Sequence, residues 1–439
     1  MATPAGGAIA VIRLSGDDAL TIADKVFRGR RPLAGAKGAT AHYGNIVAAD
    51  GTVIDDAVVT VYRAPHSYTG EDSAEISCHG STYIAHCVLQ ALIDAGARQA
   101  GPGEYTQRAY LNGKMDLSQA EAVADLIAAQ NKATHDIALS QLKGHFSSEL
   151  AQLHKRLLKM TSLLELELDF SDHEELEFAD RKELRTLAEE IDSHITHLAS
   201  SFKTGQALKD GIPVAIIGKT NVGKSTLLNR LLNEEKAIVS DIDGTTRDII
   251  EDTTDINGVT FRFIDTAGIR RTDDRIEQIG IERAMKALDN ARIVLWMIDA
   301  RPDDSQIKEM KERTQGKSLI IVHNKADINA GTLVDGETAV SARENKNIDT
   351  LRNRIYAAAD MPEINDTTVI ITSARHYEAL TRAKADIERV LDGMDNDLSG
   401  DLLAEDLRQC LDDLADITGG KITPQETLNN IFKHFCIGK

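Results

Sequence analysis

The sequence predicts a multidomain protein: an α/β N-terminal domain, an all-α helical domain split into two parts, and an α/β domain inserted between those parts. Three observations lead to it. The chain has 439 residues, enough for about three domains of ordinary size. Residues 211–362 alternate short apolar runs with helix-like stretches, the pattern of a parallel sheet covered by helices. The flanking segments, 116–210 and 363–439, carry apolar residues at helical spacing with charges between them.

Composition narrows the classes. Hydrophobic residues make up 42% and charged residues 27%, which supplies real cores and excludes wholesale disorder. The formal net charge is −19, so the chain repels a phosphate backbone at long range. Action on nucleic acid would need a local basic patch or a basic partner. The four cysteines, Cys78, Cys87, Cys410 and Cys436, form no C-x-x-C. That argues against a disulfide framework and a structural zinc site, and fits a reducing cytosol. No apolar run approaches the ~20 residues that span a bilayer. The first residues have neither a signal-peptide nor a transit pattern. A cytoplasmic protein without a membrane partner is expected.

Segment 1–115 reads as mixed α/β. Residues 7–14 form an apolar run, 55–62 alternate with period two, and 72–79 include a further strand. Residues 17–27 and 81–96 read as helices, the second closed by Gly96. Segment 116–210 is poor in glycine and has no proline. Leu150, Leu153, Leu157, Leu158 and Leu164 make an apolar stripe there. Leu402, Leu403, Leu407, Leu411 and Leu414 make another in 363–439. Both predict long bundled helices.

The inserted segment, 211–362, carries ordered motifs at the ends of its predicted strands. The run 212–217 leads into Gly-Lys-Thr-Asn-Val-Gly-Lys-Ser at 218–225, followed by a helix. In G-x-x-x-x-G-K-S the glycines let backbone N–H groups turn toward phosphate oxygens at a helix N-terminus. Asn221, Val222, Gly223, Lys224, Ser225 and Thr226 form this loop and the first turn. Lys224 is placed to reach the β- and γ-phosphates, and the Ser225 hydroxyl to ligate Mg²⁺. Ser240, Asp241, Ile242, Asp243, Gly244, Thr245 and Thr246 follow, and Thr246 can supply a second Mg²⁺ ligand while a γ-phosphate is bound. Asn257 and Gly258 predict a tight hairpin. Its second strand runs into Asp265, Thr266, Ala267 and Gly268. There Asp265 serves the Mg²⁺ shell and the Gly268 N–H can meet the γ-phosphate. Strands at 291–300 and 318–323 precede Asn324, Lys325, Ala326 and Asp327. The Asp327 carboxylate can accept from guanine N1–H and the N2 amine, a donor pair that adenine lacks. Ser341, Ala342 and Arg343 end another strand, in the loop that meets guanine O6. Together these motifs predict a GTP-binding domain and resemble the translation-factor-like P-loop GTPases.

After Gly268 stands Ile269, where many small GTPases carry glutamine. An apolar side chain cannot orient the attacking water. A monovalent cation such as K⁺ is one route to the missing charge. Asn221 can offer a side-chain oxygen to it, and the 240–245 loop can offer carbonyls.

The whole chain resembles the MnmE (TrmE) family of tRNA modification GTPases. The matching stretches are 8–16 (Ala-Ile-Ala-Val-Ile-Arg-Leu-Ser-Gly), 67–72 (Ser-Tyr-Thr-Gly-Glu-Asp), 101–104 (Gly-Pro-Gly-Glu) and 111–117 (Leu-Asn-Gly-Lys-Met-Asp-Leu). To these are added the Asn-containing P-loop, Gly-Thr-Thr-Arg-Asp at 244–248 and the terminal Cys-Ile-Gly-Lys. The resemblance implies that 1–115 is a tetrahydrofolate-binding and dimerisation domain, with contacts to 5-formyltetrahydrofolate from Arg13, Glu75, Lys114 and Lys439. It implies K⁺ ligation by Asn221, Ser240, Ile242 and Thr245, and Mg²⁺ ligation by Ser225 and Thr246. It assigns a catalytic, water-orienting role to Glu277, beside Lys224 and Cys436, with hydrolysis activated when two GTPase domains of a homodimer meet. The implied partner is MnmG, a flavoprotein that brings FAD and NADH in a heterotetramer-type complex. The pair would add an aminomethyl or carboxymethylaminomethyl group to C5 of the wobble uridine of certain tRNAs. The one-carbon unit would come from 5-formyl- or methylenetetrahydrofolate.

Three departures stand out. Thr220 replaces the usual P-loop proline, which should leave the backbone contacts to phosphate intact. No glycine follows Ser341 and Ala342 around Asn345 and Lys346, which leaves the shape of the guanine loop open. The chain begins nearly at the first strand, without several residues that the family has ahead of it; a truncated or late-assigned start would weaken the N-terminal dimer. Two other classes compete: a ribosome-assembly switch GTPase, and a folate one-carbon enzyme with a regulatory GTPase.

Overall fold

The structure, a computed structural model, describes residues 7–169, 181–233, 252–264, 286–328, 337–365, 367–420, 425–433 and 435. By packing, the chain divides into two compact units. One gathers Met1–Ala128, Gln141–His194 and Ala379–Lys439; the other gathers Ala129–Ser140 and Ile195–Glu378.

The first unit contains an antiparallel sheet of β1 (Ile9–Ser15), β2 (Phe27–Gly29), β3 (Thr40–Val47), β4 (Val53–Tyr62) and β5 (Ser73–His79), in the order β1-β5-β4-β3-β2. Strand side chains alternate between faces. Ala10, Ile12, Val59, Val61, Ala74 and Ile76 are buried with the apolar sides of α1 (Ala19–Val26) and α2 (Thr82–Asp94). Each large aliphatic chain so buried contributes about 1.5–3 kcal/mol. The intervening residues, Arg13 and Glu75 among them, therefore belong to the opposite face, where β1 and β5 set these two directly across from one another. The helix expected over 17–27 ends at Val26. Phe27 has extended backbone (φ −102°, ψ 138°) and pairs with Ile46, which starts β2. As expected, Gly96 closes α2 at φ +118°, donating to Ile93 O at 3.0 Å.

Helices fill the rest of this unit: α3 (Glu104–Leu111), α4 (Leu117–Ala128), α6 (His145–Asp169), α12 (Gly400–Thr418) and α13 (Gln425–Phe432). Helix α5 (Lys132–Leu142) precedes α6, and α7 (Arg181–Asp210) and α11 (Ala374–Asp395) run on from one unit into the other. The two leucine stripes need correction. Leu150, Leu153, Leu157 and Leu164 are buried, but Leu158 is 45% exposed. On α12, Leu403, Leu407 and Leu414 are buried, whereas Leu402 is 52% exposed. An i, i+1 neighbour lies about 100° round the helix, so one of two adjacent leucines leaves the buried face.

The second unit is built on a six-stranded sheet: β6 (Ile212–Gly218), β7 (Asp252–Ile256), β8 (Val259–Phe263), β9 (Ile293–Ile298), β10 (Ser318–His323) and β11 (Glu337–Ala339). The order is β11-β10-β9-β6-β8-β7, parallel throughout except for the β7–β8 hairpin. Asn257 (φ +54°) and Gly258 (φ +80°) make the expected tight turn. The central strands are apolar on both faces. Ile293, Leu295 and Met297 join one core, and Val294, Trp296 and Ile298 join the other. Around the sheet stand α8 (Lys224–Asn233), α9 (Asp304–Arg313) and α10 (Ile348–Ala358). Residues 195–210 and 363–378, which the sequence grouped with the helical domain, pack in this unit. Leu208 and Ile370 enter its core, and Phe202 stacks on Tyr377 with ring centroids 4.4 Å apart.

Candidate functional site

The glycine loop is shaped by what touches it. Gly218 ends β6 at φ +151°, and a Cβ there would come within 2.4 Å of the Met297 carbonyl oxygen on β9. Gly223 has φ +101°, and a Cβ would come within 2.3 Å of Asn324 Nδ2. Both positions therefore require glycine. Between them Asn221 takes the left-handed conformation (φ +59°), with its residue exposed at the loop rim, while Val222 is buried beneath. Lys224 begins α8, and its ammonium donates to Gly218 O at 2.7 Å and Lys219 O at 2.8 Å. Burial holds its pKa below that of an ordinary lysine. Ser225 and Thr226 follow in the first turn, where free backbone N–H groups favour an anion.

Asn324, just past β10, ties this loop to the next. Its Nδ2 donates to Val222 O at 2.8 Å and its Oδ1 accepts from Ala342 N–H at 3.1 Å. All three residues are buried. Lys325 (φ +62°) pairs with Asp299 at 3.1 Å, and Ala326 N–H donates to Val340 O at 3.1 Å. Asp327 is exposed, and the Ser341 hydroxyl beside it holds its carboxyl below the usual range. The structure thus brings 221–226, 324–327 and 341–343 together at the C-terminal ends of the parallel strands, the expected place for a ligand in such a sheet.

The guanine loop closes without a glycine. Ser341 and Lys346 exchange two backbone hydrogen bonds of 3.1 Å, and both Asn345 (φ +58°) and Asn347 (φ +59°) take the left-handed conformation. Asparagine visits that region more readily than other side-chain-bearing residues, so it supplies the turn. Arg230 of α8, which sequence reasoning missed, secures the loop from below. Its Nε donates to Ala342 O at 3.1 Å and its Nη2 to Arg343 O at 3.0 Å. A lone cation on an amphipathic helix carries no signal of this. Ser240, Asp241, Ile242, Asp243, Gly244, Thr245, Thr246, Asp265, Thr266, Ala267, Gly268 and Glu277 lie outside the described residues.

A second polar cluster occupies the sheet face of the first unit. Arg13 Nε donates to Glu75 Oε1 at 2.8 Å, with Nη2 at 2.7 Å from the same oxygen. The guanidinium lies 5.5 Å from the ring centroid of Tyr68 and 5.6 Å from that of Tyr105. Tyr62 donates to Glu75 Oε2 at 3.4 Å and Tyr105 to Arg13 O at 2.6 Å. Glu75 sits within β5, not at a strand end. Lys114 lies over Gly70 and donates to Pro65 O at 2.9 Å. So Arg13 and Glu75 are paired directly, while Lys114 is anchored on the 65–70 loop. The three tyrosines were not foreseen, although Tyr68 stands in the 67–72 motif. Cys436 and Lys439 lie outside the described residues; Phe435, next to Cys436, is buried with its ring centroid 5.1 Å from that of Phe432.

Known proteins resemble this chain along its length. Residues 1–114 match the family model of the GTP-binding protein TrmE N-terminus, and residues 117–436 match that of the MnmE helical domain. The tRNA modification GTPase MnmE of Parabacteroides distasonis is 54% identical, covering 99% of this chain and 98% of its own length. Its namesake in Phocaeicola vulgatus is 51% identical, covering 100% of this chain and 98% of its own. That of Bacteroides thetaiotaomicron is 52% identical, with the same coverage.

Proposed function

From the premise that this chain belongs to the MnmE family of tRNA modification GTPases and hydrolyses GTP, we propose that it is a K⁺-activated, homodimeric GTPase of the cytoplasm. It works with an FAD- and NADH-bearing MnmG flavoprotein on the wobble uridine of tRNA, in a heterotetramer-type complex. The observation that carries the GTP half is the junction of the glycine loop and the guanine loop through Asn324.

The roles follow from the chemistry of each group. Backbone N–H groups of 221–226 receive the phosphates, and Lys224 exchanges its bonds to Gly218 O and Lys219 O for β- and γ-phosphate oxygens. Asp327 accepts from the guanine edge. Ser341, Ala342 and Arg343 close over O6. Asp265 and Gly268 serve the Mg²⁺ shell and the γ-phosphate.

Ser225 in the first turn of α8, together with Thr246, offers the hard hydroxyl oxygens that suit Mg²⁺. When bound, Mg²⁺ neutralises charge that builds up during phosphoryl transfer. Asn221, exposed at the rim, offers an oxygen to K⁺ beside Ser240, Ile242 and Thr245. Glu277 orients the attacking water, a role that Ile269 cannot fill. In the first unit, Glu75 suits the N–H donors of a pterin. Arg13 and Lys114, with Lys439, suit the carboxylates of a folate's glutamate. Folate supplies the one-carbon unit, as 5-formyl- or methylenetetrahydrofolate, and the Cys436 thiol serves either covalent catalysis on the uridine ring or the handling of that unit.

Two measurements test this reading. GTP turnover should be fast in K⁺ and slow in Na⁺ at equal ionic strength, and Asn221→Ala should abolish the difference while nucleotide binding persists. Mass spectrometry of wobble nucleosides should show the C5 group lost when the gene is deleted. Equal turnover in the two salts removes the cation mechanism, and unchanged nucleosides remove the modification chemistry.

A further inference from the structure

Most peptide N–H groups at the start of the guanine loop are used within the fold. Ser341 N–H donates to Lys346 O at 3.1 Å, Ala342 N–H to Asn324 Oδ1 at 3.1 Å, and Glu344 N–H to Ser341 Oγ at 3.2 Å. The Arg343 N–H between them has no partner among the described residues, and Arg343 is exposed where Ser341 and Ala342 are buried. Water satisfies such a donor in an ordinary surface turn. This one differs in how firmly its direction is held.

A trans peptide is planar, with C=O and N–H pointing in opposite directions. The Arg343 N–H shares its plane with Ala342 O, which accepts from Arg230 Nε at 3.1 Å. The next plane carries Arg343 O, which accepts from Arg230 Nη2 at 3.0 Å. One guanidinium therefore grips the peptide planes on both sides of Arg343, and its rigid fork of donors resists rotation of either. With Ala342 O turned toward Arg230, the Arg343 N–H is turned away from it. The Ser341 hydroxyl stands beside Asp327, so this loop adjoins the carboxylate that accepts from guanine N1–H. On guanine, O6 is the neighbour of N1–H, so donor and acceptor fall in matching order. A cation in the last turn of α8 would ordinarily serve the helix end. Here the Leu231 carbonyl at that end accepts from Thr254 Oγ1 at 3.0 Å and Arg352 Nη2 at 2.9 Å, which leaves Arg230 to the loop.

We infer that Arg230 is a positioning residue for guanine recognition: by holding Ala342 O and Arg343 O it aims the Arg343 N–H at guanine O6. The inference rests on the GTP reading of this site. It adds a second bar to adenine, which carries an amine where guanine carries O6 and would set donor against donor.

The test follows the Arg343 amide by nuclear magnetic resonance in the full-length chain with isotopically labelled arginine, the signal being identified by its loss in Arg343→Lys. Saturating GDP should slow exchange of this amide with solvent by at least about tenfold. Saturating inosine diphosphate, which lacks the 2-amine but keeps O6, should do the same. In Arg230→Ala the slowing by GDP should shrink to less than about threefold, and GDP affinity by calorimetry should fall at least about threefold. Arg230→Lys, with one mobile ammonium in place of two fixed donors, should lie between wild type and Arg230→Ala on both measures. Exchange of the β9 amides, 293–298, should match wild type, which separates misplacement of one amide from unfolding of the unit; if it rises in Arg230→Ala, Arg230→Lys carries the comparison. Wild-type slowing of the Arg343 amide in the Arg230 variants overturns the positioning role. An Arg343 amide that GDP leaves unchanged in the wild-type chain overturns the contact with O6. A wild-type chain that does not bind GDP removes the GTP reading, and the inference with it.

Discussion

Asn324→Ala is the substitution whose cost is most directly worked from this structure. Asn324 is 5% exposed, and its amide makes one bond to each of two loops: Nδ2 to Val222 O at 2.8 Å and Oδ1 from Ala342 N–H at 3.1 Å. Val222 and Ala342 are each 1% exposed, so neither stranded backbone group gains water for free. A buried polar group left without its partner costs about 1–3 kcal/mol, which places the loss for two groups at about 2–6 kcal/mol. Part of it appears as lower stability of the unit that holds the nucleotide site. The rest appears as weaker nucleotide binding, because the two loops are no longer held in one geometry before the ligand arrives. Trp296 is the chain's one tryptophan, 8% exposed and in register with Ile217 of β6, so its fluorescence reports this unit alone. In urea the Trp296 transition should move to lower concentration, and GDP affinity should fall at least about tenfold, equivalent to about 1.4 kcal/mol. Asn324→Asp provides a control: it keeps the acceptor for Ala342 N–H but sets an oxygen against Val222 O, so it should fare no better. A variant with wild-type midpoint and wild-type GDP affinity would refute the reasoning.

Two further predictions concern pH. Glu104 accepts from Arg98, Arg108 and the Gly101 N–H, and the Arg98 contact above all holds its pKa down, from 4.5 to about 2. A depressed carboxyl stabilises the fold above its unfolded pKa and loses that contribution as pH falls from about 4.5 to about 2, a swing of about 3 kcal/mol that solvent at the 67%-exposed Arg98 reduces. Exchange of 104–112 should be faster in Glu104→Gln than in wild type at pH 7, with the gap closing toward pH 2; a gap independent of pH would be contrary. Asp386 shows the opposite sign. Burial raises its pKa, Arg389 at 2.5 Å opposes this, and the facing carboxyl of Asp413 adds to the rise, while buried Oδ2 finds no hydrogen-bond partner among the described residues. The folded state then holds a proton that the unfolded state has released, so the group costs stability as pH rises above the unfolded carboxyl range. Asp386→Asn replaces that proton with an amide donor and should melt higher than wild type at pH 8 by far-UV circular dichroism, with the two converging toward pH 4. A lower melting temperature at pH 8 would reverse the assignment.

Much of the fold was legible because the signals were local and periodic. The run 212–217 carries no charge, so it had to be a strand buried on both faces, and the glycines after it had to be a turn. Asn257 and Gly258 fixed a hairpin by backbone conformation alone. What sequence could not supply was the partner of each face. Leu157 and Leu158 are equally apolar, and only the packed helix says which is buried. Residues 195–210 continue the helical spacing of 181–194, yet Leu208 belongs to the core of the nucleotide-binding unit, since a period reports that a face is covered and not what covers it.

The candidate sites divide along the same line. Spacing singled out Lys224, Asn324 and Asp327 because nucleotide chemistry needs groups at strand ends at fixed separations, and the structure places all three just past the ends of β6 and β10. Arg230, which holds the guanine loop through two carbonyls, was not singled out, because a carbonyl acceptor leaves no trace in the sequence. The loop it holds shows the complementary error. Absence of glycine after Ala342 left the loop's shape open only while residue type stood in for backbone conformation. The turn requires positive φ near Lys346, and Asn345 and Asn347 provide it on either side. A departure from a family pattern is therefore best weighed by the dihedral or the space that the usual residue supplies. At 345–347 that requirement is a dihedral, which asparagine meets. At Gly218 it is space as well, since a Cβ there would come within 2.4 Å of the Met297 carbonyl oxygen.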